Sequence, residues 1–146
     1  MKEILVQLSA AFMGAFWFAV LIGLQKKHLL FAGVSGLLTW AVYLIVQHFT
    51  PGLFLPNLCA SVFAVTFSEF LAHWRKCPAT LFQVPAIIPL VPGSSLYYAM
   101  DRTVHSNLAE ANTYGRRTLV CAVAIAAGIS FVTVCRELRT KKRKPE

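Results

Sequence analysis

Charged residues are missing from two long parts of the chain. No Asp, Glu, Lys or Arg occurs between residues 4 and 24 or between residues 29 and 68. Over the whole chain 57% of residues are hydrophobic and 14% are charged, whereas soluble domains have about 45–50% apolar and about 25% charged residues. A soluble fold would need polar faces within those runs. The pattern therefore excludes an ordinary soluble domain and predicts an all-α, polytopic membrane protein.

Acidic residues are also scarce: six Asp and Glu stand against fourteen Lys and Arg, which gives a formal net charge of +8. Such a balance can indicate nucleic-acid binding. Here the basic residues lie in short connections between apolar runs and in a terminal tail, as topology determinants do in membrane proteins. The distribution therefore argues against nucleic acid as a partner and favours the lipid bilayer.

Cysteines are few, and no two of them form a CxxC pair; they are Cys59, Cys77, Cys121 and Cys135. Three of them fall within apolar runs, where free thiols behave as small hydrophobic groups. The sequence therefore predicts neither a disulfide framework nor a metal site, and we expect no cofactor.

Five apolar runs approach the length of about 20 residues that a membrane-spanning helix needs. We predict spans at residues 4–24, 29–49, 53–72, 81–100 and 118–135, forming one transmembrane domain over residues 1–135, with a basic tail at residues 136–146. The first run lacks a clean A-x-A cleavage site and exceeds the length of a signal-peptide core, so we expect a retained span. The polar stretch at residues 101–117 is either a solvated loop or an amphipathic surface helix.

The basic residues also predict the orientation. With the N-terminus outside, the inner segments carry ten Lys and Arg and the outer segments carry four, as the positive-inside rule requires. We therefore predict a multi-pass protein of the cell membrane with a cytoplasmic C-terminus, and a fourth segment that crosses fully. The residues assigned to topology or lipid contact are Lys26, Lys27, Arg75, Lys76, Lys141, Lys142, Arg143 and Lys144.

The fourth apolar run, LFQVPAIIPLVPGSSLYYAM at residues 81–100, contains Pro85, Pro89, Pro92 and Gly93. An interior proline removes a backbone N–H and clashes with the carbonyl four residues back. The run therefore predicts a span broken by Pro and Gly into two half-helices. Such breaks in lipid survive only where protein or a water-filled cavity satisfies the freed groups, and they often mark transport sites.

We expect a solute or ion pathway at this break; the alternative is that the prolines only kink a packed helix. Their spacing places the prolines on one helix face and frees the carbonyls of Leu81, Pro85 and Ile88. Ser94 or Ser95 would cap the second half-helix, whose N-terminus suits a carboxylate. The candidate pathway residues are Pro85, Pro89, Pro92, Gly93, Ser94, Ser95, Tyr97, Glu69 and Asn57.

Two of these candidates, both in the third predicted span, have open roles. Glu69 is either an ion-path carboxylate, with His73 on the same helix face, or an interfacial residue paired with Arg75 or Lys76. Asn57 either hydrogen-bonds across helices or contacts solute.

The motif PAIIPLVPGS at residues 85–94 resembles the proline-rich core motif of the second, smaller domain of the threonine/serine exporter family. The sequence GVSG at residues 33–36 and the charged stretch after the motif fit the layout of that domain, so the resemblance covers nearly the whole chain. Some family members are one long chain, and others are split into a larger and a smaller subunit. The resemblance implies the small subunit of a secondary exporter, which acts with a larger subunit of the same family.

The resemblance also implies the solutes: small carboxylate-bearing metabolites, either threonine and serine or dicarboxylates such as succinate, driven outward by an ion gradient. Two other functions stay open, a scaffold or assembly subunit without solute contact and a passive channel. We do not expect an enzyme. The sequence GSSLY at residues 93–97 lacks the last glycine of a G-x-S-x-G nucleophile motif and lies in an apolar span.

Overall fold

The fold, taken from a computed structural model, is described for residues 2–141, with side chains described through residue 138. This part of the chain forms six α-helices and one short 3₁₀ turn: α1 (Lys2–Leu21), α2 (Lys26–Phe49), α3 (Phe54–Arg75), α4 (Thr80–Ile87), the 3₁₀ turn (Ile88–Leu90), α5 (Gly93–Val104) and α6 (Leu108–Lys141). Four of the helices, α1, α2, α3 and α6, are long and apolar enough to cross a membrane. The predicted all-α polytopic membrane fold, with a Pro/Gly break after the third long helix, is confirmed.

Small residues mediate the contact between α1 and α2. A side chain on Gly36 would clash with Ala15, and one on Gly33 would place its Cβ 2.7 Å from the ring of Phe12. Helices in lipid gain little from the hydrophobic effect when they associate, so they depend on close backbone approach at such positions. The two glycines therefore set the distance between α1 and α2.

α6 packs beside α3 and runs in the same direction. Asn57 near the start of α3 contacts Cys121, and Glu69 near its end contacts Arg136. The paired residue numbers rise together, so the two helices are parallel. Because α3 ends and α6 starts at opposite ends of the bundle, residues 76–107 must return the chain, and they do so as two short helices.

α4 lies among α1, α2 and α3. The side chain of Phe82 is fully buried and packs near Leu71 of α3, whereas Leu90 packs on Ala60 and Ile125. α4 has 8 residues and the 3₁₀ turn has 3, a combined length of about 18 Å, whereas the core of a bilayer is about 30 Å thick. The first half of the broken segment therefore ends inside the bundle.

α5 packs mainly against the first half of α6. Arg102 pairs with Glu110 at 3.2 Å, and the rings of Tyr98 and Tyr114 lie 5.5 Å apart. None of the α5 residues is fully buried. The second half of the broken segment therefore belongs to a helical hairpin with α6.

The polar stretch at residues 101–117 is neither a loop nor one amphipathic helix. Met100 and Val104 lie in α5, whereas Leu108 and Ala111 lie in α6. Between them the chain turns, and Ser106 has a left-handed φ of 59°. α6 consequently starts ten residues before the fifth predicted span. The membrane boundaries themselves remain a prediction.

One end of the bundle, where α1 meets α2 and α3 meets α4, carries a group of basic side chains, and we call it the basic end. Four of its members lie at the start of α2 and at the end of α3 or just after it: Lys26, Lys27, Arg75 and Lys76. Arg136 approaches the same end through its contact with Glu69. Of the tail residues assigned to topology, Lys142, Arg143 and Lys144 lie outside the described residues, as does the side chain of Lys141.

We expect Gly128→Ala to destabilise the protein by about 1–3 kcal/mol through overpacking. A Cβ at Gly128 would clash with Oγ of Ser61 and lie 3.1 Å from the carbonyl oxygen of Leu58. Gly115, in the same helix, has nothing within 4 Å of that position, so Gly115→Ala should be neutral or stabilising by up to about 1 kcal/mol. Thermal unfolding in detergent, followed by circular dichroism, measures both. Equal stabilities would contradict the close α3–α6 packing.

Candidate functional site

The first half-helix ends at two prolines spaced four residues apart. Pro85 and Pro89 lack an N–H, so the carbonyls of Leu81 and Pro85 have no hydrogen-bond partner four residues ahead. The chain then tightens into the 3₁₀ turn, and the N–H of Val91 donates to the carbonyl of Ile88 at 3.2 Å. The expectation that the Ile88 carbonyl is free is therefore wrong, because the 3₁₀ turn supplies a donor three residues ahead.

The second half-helix starts at Gly93, with Pro92 as its N-cap and no side-chain cap hydrogen bond. The expectation that Ser94 or Ser95 caps this helix is wrong, because both already lie in its first turn. Its first i+4 hydrogen bond runs from the N–H of Leu96 to the carbonyl of Pro92, at 3.1 Å. The N–H groups of Ser94 and Ser95 therefore have no acceptor within the helix, and they lie at its positive end.

The three prolines do not share one face of a continuous helix. Pro85 is fully buried in α4, whereas Pro89 is half-buried and close to Gly36 of α2. Pro92 follows the break, so its direction is no longer set by helical spacing. Tyr97 is 66% exposed and lies on α5, where its ring contacts a neighbouring tyrosine rather than the break.

A crevice of about 260 Å³ opens beside the 3₁₀ turn, and it is lined by Gln7, Ala10, Ala11, Trp40 and Pro89. The indole Nε1 of Trp40 is buried and has no hydrogen-bond partner among the described residues. Leaving a buried donor unpaired costs roughly 1–3 kcal/mol, which makes Trp40 a candidate solute contact. Trp40 is not among the residues predicted from the sequence; the available signal was its position one turn after Gly36, the last residue of the GVSG stretch.

A second polar group lies about one helical turn from the break. Asn57 is 3% exposed, and its Nδ2 donates to the carbonyl four residues back at 2.6 Å and to Sγ of Cys121 at 3.4 Å. Further along the same helices, Ala60 and Ile125 pack on Leu90, the last residue of the 3₁₀ turn. Of the two roles open for Asn57, the structure shows the cross-helix hydrogen bond.

Glu69 lies apart from the break, about 18 Å along α3 from Asn57 at 1.5 Å per residue. Its carboxylate lies 3.4 Å from Nη1 of Arg136, so the expected pairing with Arg75 or Lys76 is wrong. The two side chains are 27% and 63% exposed, so the pair contributes about 1 kcal/mol at most. Glu69 lines a pocket of about 730 Å³ at the basic end, together with Ala72, His73, Lys76, Cys77, Pro78, Ala79 and Arg136.

A sequence model of the family described as Threonine/Serine exporter, ThrE, matches residues 7–135. The chain belongs to the threonine/serine exporter family. The match covers the broken segment and most of the bundle, and it confirms the resemblance seen in the proline motif. No curated protein and no solved structure matches the chain. The protein is thus an exporter-type membrane transporter, and its family is not a class of enzymes.

In this exporter we expect Asn57→Ala to lower stability by about 1–3 kcal/mol, because it removes the hydrogen bond to Cys121 that joins α3 to α6 and the bond to the Leu53 carbonyl at the start of α3. Asn112 is exposed on α6, so Asn112→Ala makes the same change of helix propensity without losing a buried bond. Thermal unfolding in detergent compares the two. If Asn57→Ala were as stable as Asn112→Ala, the Asn57–Cys121 contact would have no structural role.

Proposed function

We propose that this chain is the small subunit of a two-component secondary exporter, which moves small carboxylate-bearing metabolites out of the cell. Threonine and serine are the first candidates, and dicarboxylates such as succinate are the second. The observation that carries the proposal is the break between α4 and α5: its irregular backbone starts at the buried Leu90 and continues through the exposed residues Val91 and Gly93. Transporters build substrate and ion sites from such discontinuous helices.

The break offers groups for both ends of an amino acid. The free N–H groups of Ser94 and Ser95 suit a carboxylate at the start of α5. Of the two freed carbonyl oxygens, that of Pro85 is the nearer to the break and suits an ammonium group, whereas that of Leu81 lies in the first turn of α4. The Trp40 indole adds a donor at a crevice of about 260 Å³, just below the range of about 300–1,000 Å³ typical of sites for drug-sized ligands.

Glu69 is our candidate for the coupling carboxylate. It shares the basic-end pocket with His73 and Arg136, where a proton or cation would compete with the Arg136 guanidinium. Ala60, which packs on the last residue of the 3₁₀ turn, lies about 14 Å along α3 from Glu69, so Glu69 acts on the solute through the bundle rather than by contact. Such coupling requires the ion to bind two conformations with different affinity.

A larger subunit of the same family is the proposed partner. α5 exposes a row of apolar side chains: Leu96, Tyr97, Met100 and Val104. Lipid or a second subunit would cover them, because the helix packs mainly on α6. The same surface favours the second candidate function, a scaffold subunit whose partner holds the whole solute path.

We further propose that the protein lies in the cell membrane with its basic end towards the cytoplasm. The clustering of Lys26, Lys27, Arg75 and Lys76 at one end supports this orientation. In this orientation the N-terminus lies outside the cell and the basic tail lies inside.

We expect Pro89→Ala to reduce export about tenfold or more, because the restored N–H and lost ring favour a continuous helix by about 3 kcal/mol. Pro51 is exposed in the connection between α2 and α3, so Pro51→Ala serves as the matched control. The measurement is efflux of labelled L-threonine, L-serine and succinate from cells that co-express the larger subunit, at equal amounts of membrane-inserted protein.

Omission of this chain separates the two candidate functions. If its omission abolishes efflux and Pro89→Ala leaves efflux intact, the scaffold function is correct and the solute site lies in the partner. Efflux that is unchanged by the omission would contradict both.

We expect Glu69→Gln to make efflux insensitive to collapse of the proton gradient at a fixed solute gradient. The same variant should change stability by less than about 1 kcal/mol, because the Glu69–Arg136 pair is partly exposed. Glu3 is exposed in the first turn of α1, and Glu3→Gln is the control. Gradient-sensitive efflux in Glu69→Gln would remove Glu69 from the coupling path, and gradient-insensitive efflux in the unmodified protein would favour a channel.

A further inference from the structure

A cationic and aromatic cluster at the basic end takes no part in the solute site. The guanidinium of Arg75 lies 4.1 Å from the ring centroid of Phe31 and 5.2 Å from that of Trp74. Its Nε is buried and has no hydrogen-bond partner among the described residues. The ion pairs among the described residues involve Arg102, His105 and Arg136 instead. Arg75 is therefore held in place by two aromatic rings, and no carboxylate of the described residues forms an ion pair with it.

The first turn of α2 brings more positive charge to the same place. Lys27 precedes Phe31 by four residues, so the two lie on one helix face. His28 is 7% exposed, and its Nδ1 has no hydrogen-bond partner among the described residues, so it adds an unpaired polar atom to the same place. Gln25, the N-cap of α2, makes no side-chain cap hydrogen bond. The N–H of His28 donates to the carbonyl of Gln25 at 2.8 Å, so the N–H groups of Lys26 and Lys27 and the positive end of the helix dipole add to the cluster. Together these groups favour the binding of an anion.

The surroundings of the cluster indicate which anion. Arginine holds its donors in a planar fork that matches phosphate as well as carboxylate. Trp74 is 65% exposed and Leu30 is 63% exposed, so the cluster borders an apolar surface. Tryptophan is enriched where a membrane meets water, and basic pockets between spanning helices bind anionic lipid headgroups.

We propose that Lys27, Arg75 and the first turn of α2 form a binding site for the phosphate group of an anionic phospholipid. The guanidinium and the Lys27 ammonium contact the phosphate oxygens, and the exposed side chains of Leu30 and Trp74 lie beside the acyl chains. Phe31 and Trp74 keep the guanidinium in its orientation. This site is separate from the break and does not depend on which solute is exported.

The test is the thermal shift of the purified full-length chain in detergent during titration with phosphatidylglycerol. We expect phosphatidylglycerol to raise the unfolding temperature of the unmodified protein, and Arg75→Gln to weaken the apparent affinity about tenfold. Arg117→Gln is the matched control, because Arg117 also lies near an aromatic ring, that of Tyr114 at 5.9 Å, but outside this cluster. It should respond to the lipid as the unmodified protein does.

Three results would overturn the proposal. Equal responses of Arg75→Gln and Arg117→Gln would show non-specific attraction. An equal shift with phosphatidylcholine would remove the preference for anionic lipid. A shift produced by inorganic phosphate at the same concentration would assign the site to free phosphate instead of lipid.

A second pair of variants keeps the test decisive if Arg75→Gln fails to fold. Lys27 and Lys2 are both exposed, and Lys2 lies at the start of α1, outside the cluster. We expect Lys27→Gln to reduce the phosphatidylglycerol shift and Lys2→Gln to leave it unchanged. Equal shifts for the two would also overturn the proposal.

Discussion

Inside a bilayer every backbone N–H and C=O group needs a partner in the protein or in trapped water, and Pro85 and Pro89 remove two of the donors. The segment that carries them therefore needs helices packed against it, and only part of its surface, including the 43% exposed Val84, is left uncovered by this chain. It lies among α1, α2 and α3, where Phe82 and Pro85 are fully buried. The long helices satisfy their backbone groups with internal hydrogen bonds, so they can take the outer positions. Most of the large exposed apolar side chains belong to them.

Enclosing a short helix requires the long ones to approach each other closely. Gly36 makes room for Ala15 on α1 and lies near Pro89 of the 3₁₀ turn. Gly128 does the same for Ser61 where α6 meets α3. These close contacts fix the register of neighbouring helices, because a shift by one residue would bring a larger side chain against a facing backbone. Polar pairs far apart in the sequence then meet as a consequence of that register.

The position of the break could be predicted from the sequence, because proline acts on its own backbone and on the carbonyl four residues back. The details around it could not. Two predictions, a free Ile88 carbonyl and a cap by Ser94 or Ser95, assumed helical spacing across this segment. Its residues instead form a 3₁₀ turn and an extended link. The partner of Glu69 lies 67 residues away on α6, and its register depends on packing at Gly128, which the hydrophobic pattern does not encode. The role of Trp40 could not be predicted either, because its crevice forms only where α1, α2 and the 3₁₀ turn meet.

α3 connects the three polar regions of the protein: Asn57 near the break, Glu69 in the basic-end pocket and Arg75 in the phosphate cluster. A slide of α3 along α6 would have to break the Asn57–Cys121 and Glu69–Arg136 contacts together, against the close fit at Gly128. The link between the half-helices has no such restraint. Its backbone carries a 3₁₀ turn, an extended residue and a glycine, and it forms few helical hydrogen bonds. A change of shape during transport therefore meets the least resistance at the break, where the proposed solute groups lie.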